Sequence, residues 1–384
     1  MSDAYRWGFT PTPPPVALGP RPELPGPARE QGPAGAAARP LSRLVARASA
    51  IVFVLVLVAA GLAARALRER ASTAVEAALG ARPTIERAAG AVIAAQSMRP
   101  APAADPIPVK HAGYEPISGG VLIAPESFAP RGSDYDLVIH FHGDVAIVRE
   151  SVERARVGAA LAVINVGTSS LPYQERFTES ASYERLLAEI GRAVAARGLP
   201  QPRLRRVALS AWSGGYGAIA AILANHQGDQ HLDALLVADG IHSGWVDSGG
   251  HKSLNPHIMA PFYEAARAAA AGQILFSLTF SEIEPQGYAG TAEVAADLLA
   301  SVGATPAARP LLEAPAEVDL EAARHAVPSE RRQKLEPLSD SRVGLLHVRG
   351  FRGNTKEHHI AHLTQMAATI LADLSEHWGS NRTP

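Results

Sequence analysis

The 384-residue sequence predicts an α/β fold: a mostly parallel open sheet with flanking helices. Three observations predict it. Short apolar runs without polar alternation recur, as in LVIHF, LAVINV and LDALLVAD, and runs of that kind belong to strands covered on both faces. Longer segments of helical spacing sit between them. The two kinds alternate from about residue 106 to the end, the order that builds a parallel sheet with helices on its faces.

Taken in order, the strand candidates are Val121–Ala124, Asp136–Phe141, Leu161–Val166, Leu204–Ser210, Leu232–Asp239, Ile274–Phe280 and Val343–Arg349. The helix candidates are Ala181–Ala196, Gly214–Asn225, Pro256–Ala271, Thr291–Val302 and His359–His377. GYAGTAEVAADLL reads as a capped helix start at Thr291 without chemistry of its own. Residues 305–342 are rich in Pro and charge with little strand pattern, which reads as an insertion over a pocket or a surface excursion.

Ahead of this domain lie three segments of different character. Residues 1–46 are rich in Pro, Gly and Ala, with too few large apolar groups to offset their ordering entropy, and read as a disordered tail. Ala48–Ala64 is an uncharged apolar run flanked by Arg43 and Arg47 before and Arg65, Arg68 and Arg70 after. It is long enough for a single transmembrane helix, placed at 47–66. A buried core helix and a cleaved signal sequence are the competing readings; the long lead before the run speaks against the second. The two flanks carry similar numbers of Arg, so orientation is weakly specified; the expectation is the folded domain on the extracytoplasmic side. Residues 67–105 read as a helical stalk and linker, broken by Pro100, Pro102, Pro106 and Pro108 around its end.

Composition narrows the chemistry. There are 36 basic and 37 acidic residues, so no basic excess points to a nucleic-acid partner. There is no cysteine, which excludes disulfides, Cys-ligated zinc and Cys nucleophiles.

The most informative segment is RVALSAWSGGYGAIAAIL, residues 206–223, which reads strand, tight turn, helix with Ser213 at the turn. A nucleophile there requires small neighbours two residues before and two after, and Ala211 and Gly215 supply them. The helix start directs N–H groups and its positive dipole end toward an oxyanion. On Ala211-Trp212-Ser213-Gly214-Gly215 the chain resembles the α/β-hydrolase superfamily, whose motif is Gly-x-Ser-x-Gly; here Ala replaces the first Gly. The competing reading, a glycine-rich phosphate cradle, lacks its patterns.

The resemblance implies a serine hydrolase that cleaves a carboxylic ester or related acyl bond, with a small-molecule or acyl substrate and no cofactor. LVIHFHGD (137–144) then begins the oxyanion loop, assigning backbone N–H groups of Gly143 or Asp144 together with Gly214. His140, His142 and Asp144 also form a partial zinc pattern, so a zinc hydrolase is a rival; a non-catalytic scaffold is another. The base follows the last strand, where His358, His359 and His362 cluster in GLLHVRGFRGNTKEHHIAHL (344–363), and His359 is preferred because it leads directly into the helix. For the acid, Asp239 ends an apolar strand, where an unpartnered carboxylate would be costly; Glu282 and Glu284 are the alternatives in a polar run. Trp212, His242 and Trp245 are expected to line the pocket or to pack.

Overall fold

Along the chain the apolar runs become strands and the spaced segments become helices. The computed structural model describes residues 108–226, 228–305, 307, 314–316 and 318–380. The tail at 1–46, the apolar span at 47–66 and the stalk at 67–105 lie outside the described residues. Among the described residues no helix is long and apolar enough to cross a membrane.

The first half contains β1 (Glu115–Ile117), β2 (Gly120–Ile123), β3 (Asp134–Phe141), α1 (Val145–Arg154), β4 (Ala160–Ile164), α2 (Ser170–Thr178), α3 (Ala181–Ala196), β5 (Arg203–Trp212) and α4 (Tyr216–Asn225). Then come β6 (Leu232–Ala238), β7 (Ser243–Ser248), β8 (His251–Leu254), α5 (Pro256–Ala270), β9 (Leu275–Phe280), β10 (Tyr288–Ala289) and α6 (Thr291–Ser301). The chain ends with α7 (Glu321–Ala326), β11 (Pro337–Val343), β12 (Leu346–Phe351), α8 (Lys356–Thr364) and α9 (Ile370–Ser380).

Nine strands form the main sheet in the order β1-β2-β4-β3-β5-β6-β9-β12-β11. The six from β4 to β12 in that order run parallel, and β1, β2 and β11 pair antiparallel at the edges. This is the mostly parallel open sheet predicted from the sequence. A separate small sheet, β10-β7-β8, is antiparallel.

The absence of polar alternation in the parallel strands has a direct cause: both faces are buried. On β3, Leu137, Ile139 and Phe141 enter one core while Val138 enters the other. On β5, Val207, Leu209 and Ala211 share the first face, and Ala208 and Trp212 the second. The first core is closed by Tyr173 and Phe177 of α2, Tyr183 and Ile190 of α3, Ile219 of α4 and Phe262 of α5. The second is closed by Ile147 and Val152 of α1, Leu363 of α8 and Leu371, Leu374 and Trp378 of α9.

The structure departs from the expectation in the last third. The strand expected at Val343–Arg349 is present as β12, shifted toward the C-terminus, and it forms a hairpin with β11: the two flank Gly344, whose φ of 59° makes the turn and where a Cβ would meet the Ala270 carbonyl oxygen at 2.3 Å. The strand within 305–342 escapes sequence reading because PLSDSRV is polar, as an edge strand tolerates. The helix expected over His359–His377 is two helices, separated by a turn at Met366–Ala368. Helix α1 was not expected at all; Asp144 caps it, its carboxylate accepting from the N–H groups of Ala146 and Ile147.

A tight steric demand falls between β3 and the start of α4. A Cβ on Gly215 would lie 2.1 Å from the Phe141 carbonyl oxygen, and one on Gly217 would lie 2.3 Å from that of Ser170. Gly215 has an ordinary helical φ of −58°, so only this contact forbids alanine. Gly215→Ala is therefore expected to destabilise the fold by about 1–3 kcal/mol despite the better helix propensity of Ala, read as a lower urea midpoint. An unchanged midpoint would mean that strand and helix are not in this contact.

Candidate active site

Three neighbouring parallel strands, β3, β5 and β6, end on one edge of the sheet, and each is followed at once by a non-glycine residue with positive φ. These are His142 (67°), Ser213 (51°) and Asp239 (46°). Side chains rarely adopt this region, and such strain gathers at functional sites because the surrounding structure must enforce it. The carboxyl edge of an open parallel sheet is also where ligands bind in such folds.

Ser213 opens a single 3₁₀ turn, Ser213–Gly215, that leads from β5 into α4, so the strand–turn–helix context expected of a nucleophile elbow is present. The neighbours explain its glycines. A Cβ on Gly214 would lie 2.9 Å from the Ser169 backbone, and one on Gly240, after Asp239, would lie 2.9 Å from the Ser213 carbonyl oxygen. Ser213 thus sits against both the start of α2 and the residue following Asp239.

Asp239 is 1% exposed, and its carboxylate is fully engaged. It accepts from the Ser281 N–H at 2.9 Å, the Ser281 hydroxyl at 2.8 Å and the Thr291 hydroxyl at 2.6 Å. Its Oδ2 lies 2.7 Å from Nδ1 of His359. Burial alone would raise its pKa; the His362 and His359 rings and the Thr291 hydroxyl outweigh burial and hold the carboxyl well below the usual range. An ionised Asp239 can only accept, so His359 carries its proton on Nδ1 and presents the Nε2 lone pair.

The three histidines of the C-terminal cluster separate cleanly. Only His359 meets Asp239 by hydrogen bond. Nδ1 of His358 pairs with the Thr355 hydroxyl at 2.8 Å. His362 is buried, with Nδ1 on the Thr279 hydroxyl at 2.9 Å, and burial holds it down to about 4. The alternative acids are elsewhere: Glu282 is exposed and its Oε2 accepts from Gly353 N–H at 2.9 Å, while Glu284 is exposed.

The loop after β3 bears on two of the sequence readings. The Gly143 N–H donates to Asn165 Oδ1 at 3.0 Å, and its carbonyl accepts from Asn165 Nδ2 at 2.9 Å. That amide is engaged within the loop. For the rival zinc reading, most of the donors are engaged elsewhere, although His142 Nε2 has no hydrogen-bond partner among the described residues. His140 uses Nδ1 on the Ser210 hydroxyl at 2.8 Å and Nε2 on the His142 carbonyl at 3.1 Å. His142 turns Nδ1 to the Tyr173 hydroxyl at 3.1 Å, and Asp144 caps α1. Among the described residues no group of three His, Asp or Glu side chains is arranged to hold a metal ion.

Of the expected pocket residues, Trp212 is buried and stacks with the His142 and His359 rings. His242 packs edge-on to Tyr216 and Tyr288. Trp245 lies instead on the small sheet beneath the Lys252 ammonium, 5.6 Å from its ring centre. Ser281 and Thr291 are the site residues that sequence reasoning missed. Their hydroxyls reach Asp239 across 42 and 52 residues of chain. Thr291 gave one local signal, its place at the start of a capped helix, where Glu293 accepts from the Gly290 N–H at 2.8 Å.

Comparison with known proteins adds little. No family model and no curated protein matches the chain. Among solved structures it is similar to the poly(3-hydroxybutyrate) depolymerase LpqC of Bordetella parapertussis, at 15% identity over 69% of this chain and 84% of that one, TM-score 0.33. It is similar to TT1662 of Thermus thermophilus, at 15% identity over 69% and 97%, TM-score 0.32. It is also similar to the carboxylesterase CesB of Bacillus subtilis, at 10% identity over 70% and 89%, TM-score 0.30. Likeness at this level carries neither fold nor chemistry across, and both rest on the topology and geometry above.

Burial keeps His140 down to about 3, and His142 and His362 down to about 4, whereas each would titrate near 6.5 in the unfolded chain. Between about pH 6.5 and 4 the unfolded state therefore binds more protons, so stability is full above 6.5 and is lost as pH falls through that window. The urea midpoint is expected to drop steeply from pH 7 to 4.5, and His362→Gln is expected to flatten the slope. An equal slope in that variant would mean that His362 protonates in the folded protein.

Proposed function

We propose that this chain is a serine hydrolase acting on a carboxylic ester or related acyl bond through an acyl-enzyme on Ser213. The observation that carries the reading is the 2.7 Å pair between His359 Nδ1 and buried Asp239, with Asp239-Gly240 packed against a Ser213 of positive φ. The chain order Ser213, Asp239, His359 is the order of the resembled superfamily.

In this reading His359 Nε2 takes the Ser213 hydroxyl proton as Oγ bonds to the substrate carbonyl carbon. Charge moves to the carbonyl oxygen, where the N–H groups of Asp144 and Gly214 receive it beside the positive end of α4. The tetrahedral adduct collapses, the bond to the leaving group breaks, and His359 returns its proton to the departing oxygen. Water, deprotonated by His359, then attacks the acyl carbon and releases the acid and Ser213. Asp239 holds the imidazole in one tautomer and offsets the charge it gains.

We further propose that Ala48–Ala64 anchors the protein in a membrane as a single pass, with the hydrolase domain on the extracytoplasmic side. The support is the length of the apolar run and its arginine flanks.

A fluorophosphonate probe is expected to label the full chain on Ser213 and to leave Ser213→Ala unlabelled; equal labelling of that variant would remove the proposal. With a p-nitrophenyl ester, Asp239→Asn and His359→Ala should each lower kcat on the order of 10³- to 10⁴-fold. Glu282→Gln, Glu284→Gln and His358→Ala should stay near wild type; loss in His358→Ala with retention in His359→Ala would reassign the base. The full chain should sediment with membranes through alkaline carbonate washing, and deletion of residues 48–64 should release it. Release of the intact chain by carbonate would refute the anchor.

A further inference from the structure

Trp212 stands between β5 and the nucleophile, and none of the steps above uses it. The residue is 5% exposed and two imidazoles stack on its indole. The His359 ring lies 4.8 Å away, inclined by 29°, and the His142 ring 5.1 Å away, inclined by 6°. The indole N–H donates to the His359 backbone carbonyl at 3.0 Å. We propose that Trp212 is a positioning residue for the base: it fixes the His359 main chain through the indole N–H and supports the imidazolium on its ring face. The inference deepens the serine hydrolase reading and rests on it.

The strand pleat puts it there. Along β5 the side chains alternate, with Ala211 in the core beside α4 and Trp212 on the face that α8 covers. Whatever residue precedes Ser213 must therefore face the helix that carries His359. An indole ring face is electron-rich and attracts a cation, most strongly where water is excluded. The His359 side chain is only 16% exposed. The neutral imidazole gains little from the ring, while the imidazolium formed after proton transfer gains more, so the contact favours the charged intermediate over the resting state. The His142 ring also stacks on the indole and, with the N–H bond, helps to fix its orientation.

The other groups near His359 are accounted for. Asp239 attracts the charge; His142, His242 and His362 would repel it if protonated. Burial holds His142 and His362 down to about 4 and lowers His242 as well, so these three do not share the charge near neutral pH.

The test is the pH dependence of kcat/KM on p-nitrophenyl acetate for the full chain, Trp212→Phe and Trp212→Leu, alongside fluorophosphonate labelling of each. Trp212→Leu loses both the ring and the N–H. Its acidic limb should move down by about half a unit to a unit and a half, with kcat lowered and KM little changed. Trp212→Phe keeps a ring face and loses the N–H, so its limb should stay near the wild-type position while kcat falls roughly tenfold. A limb in Trp212→Leu that is unmoved or shifted upward overturns the inference. If that variant does not fold, Trp212→Phe with wild-type kcat overturns it. Wild-type protein unlabelled at Ser213 would remove the hydrolase reading and this inference together; labelled protein with an unmoved limb would remove the inference alone.

Discussion

One buried carboxylate organises the carboxyl edge of the sheet. Asp239 sits where water cannot solvate it, and an ionised group there is tolerated only if its neighbours replace the lost hydration. They come from three separate stretches of chain: Ser281 after β9, Thr291 at the start of α6, and His359 on α8. Meeting the hydrogen-bonding demand of one side chain thus ties together three connections remote in sequence. The same demand leaves His359 with a single tautomer, because an acceptor-only partner fixes the proton on Nδ1. The chemistry assigned to Ser213 follows from that tautomer.

The second constraint is steric and acts through the strand ends. His142, Ser213 and Asp239 each take positive φ directly after β3, β5 and β6, and close approaches of neighbouring backbone crowd each turn. Gly214 and Gly217 admit the start of α2, Gly215 admits the last carbonyl of β3, and Gly240 admits the Ser213 backbone. The motif departs from Gly-x-Ser-x-Gly at Ala211, which lies on β5 between β3 and β6 and buries its side chain completely in the core on one face of the sheet. The close approaches fall on the glycines after the serine, and a methyl group is accommodated before it.

Much of this was legible from residues alone, because the governing signals are local. Continuous apolar runs marked the parallel strands, and a serine among small residues after such a run marked the elbow. Where the decisive contacts are remote, sequence reading reached only a choice among candidates. Three histidines within five positions could each have been the base; it takes the end of β6 to show which one meets a carboxylate. Ser281 carried no local mark of its service to Asp239, and Thr291 only its place at a helix start. Strand β11 is polar because it lies on the sheet edge, so no apolar run announced it. The Gly143 amide is engaged by Asn165, on the loop after β4, a partner 22 residues away that no local pattern marks.

The central claim, that the Asp239–His359 pair makes Ser213 a nucleophile, is tested most directly by trapping the acyl-enzyme. Purified protein mixed with excess p-nitrophenyl acetate and quenched in acid within its first turnovers is digested and mapped by mass spectrometry. The account predicts an acetyl group on the peptide containing Ser213, absent from His359→Ala under the same conditions. Ester hydrolysis that proceeds with no adduct on Ser213, or an adduct that forms equally well without His359, would contradict it.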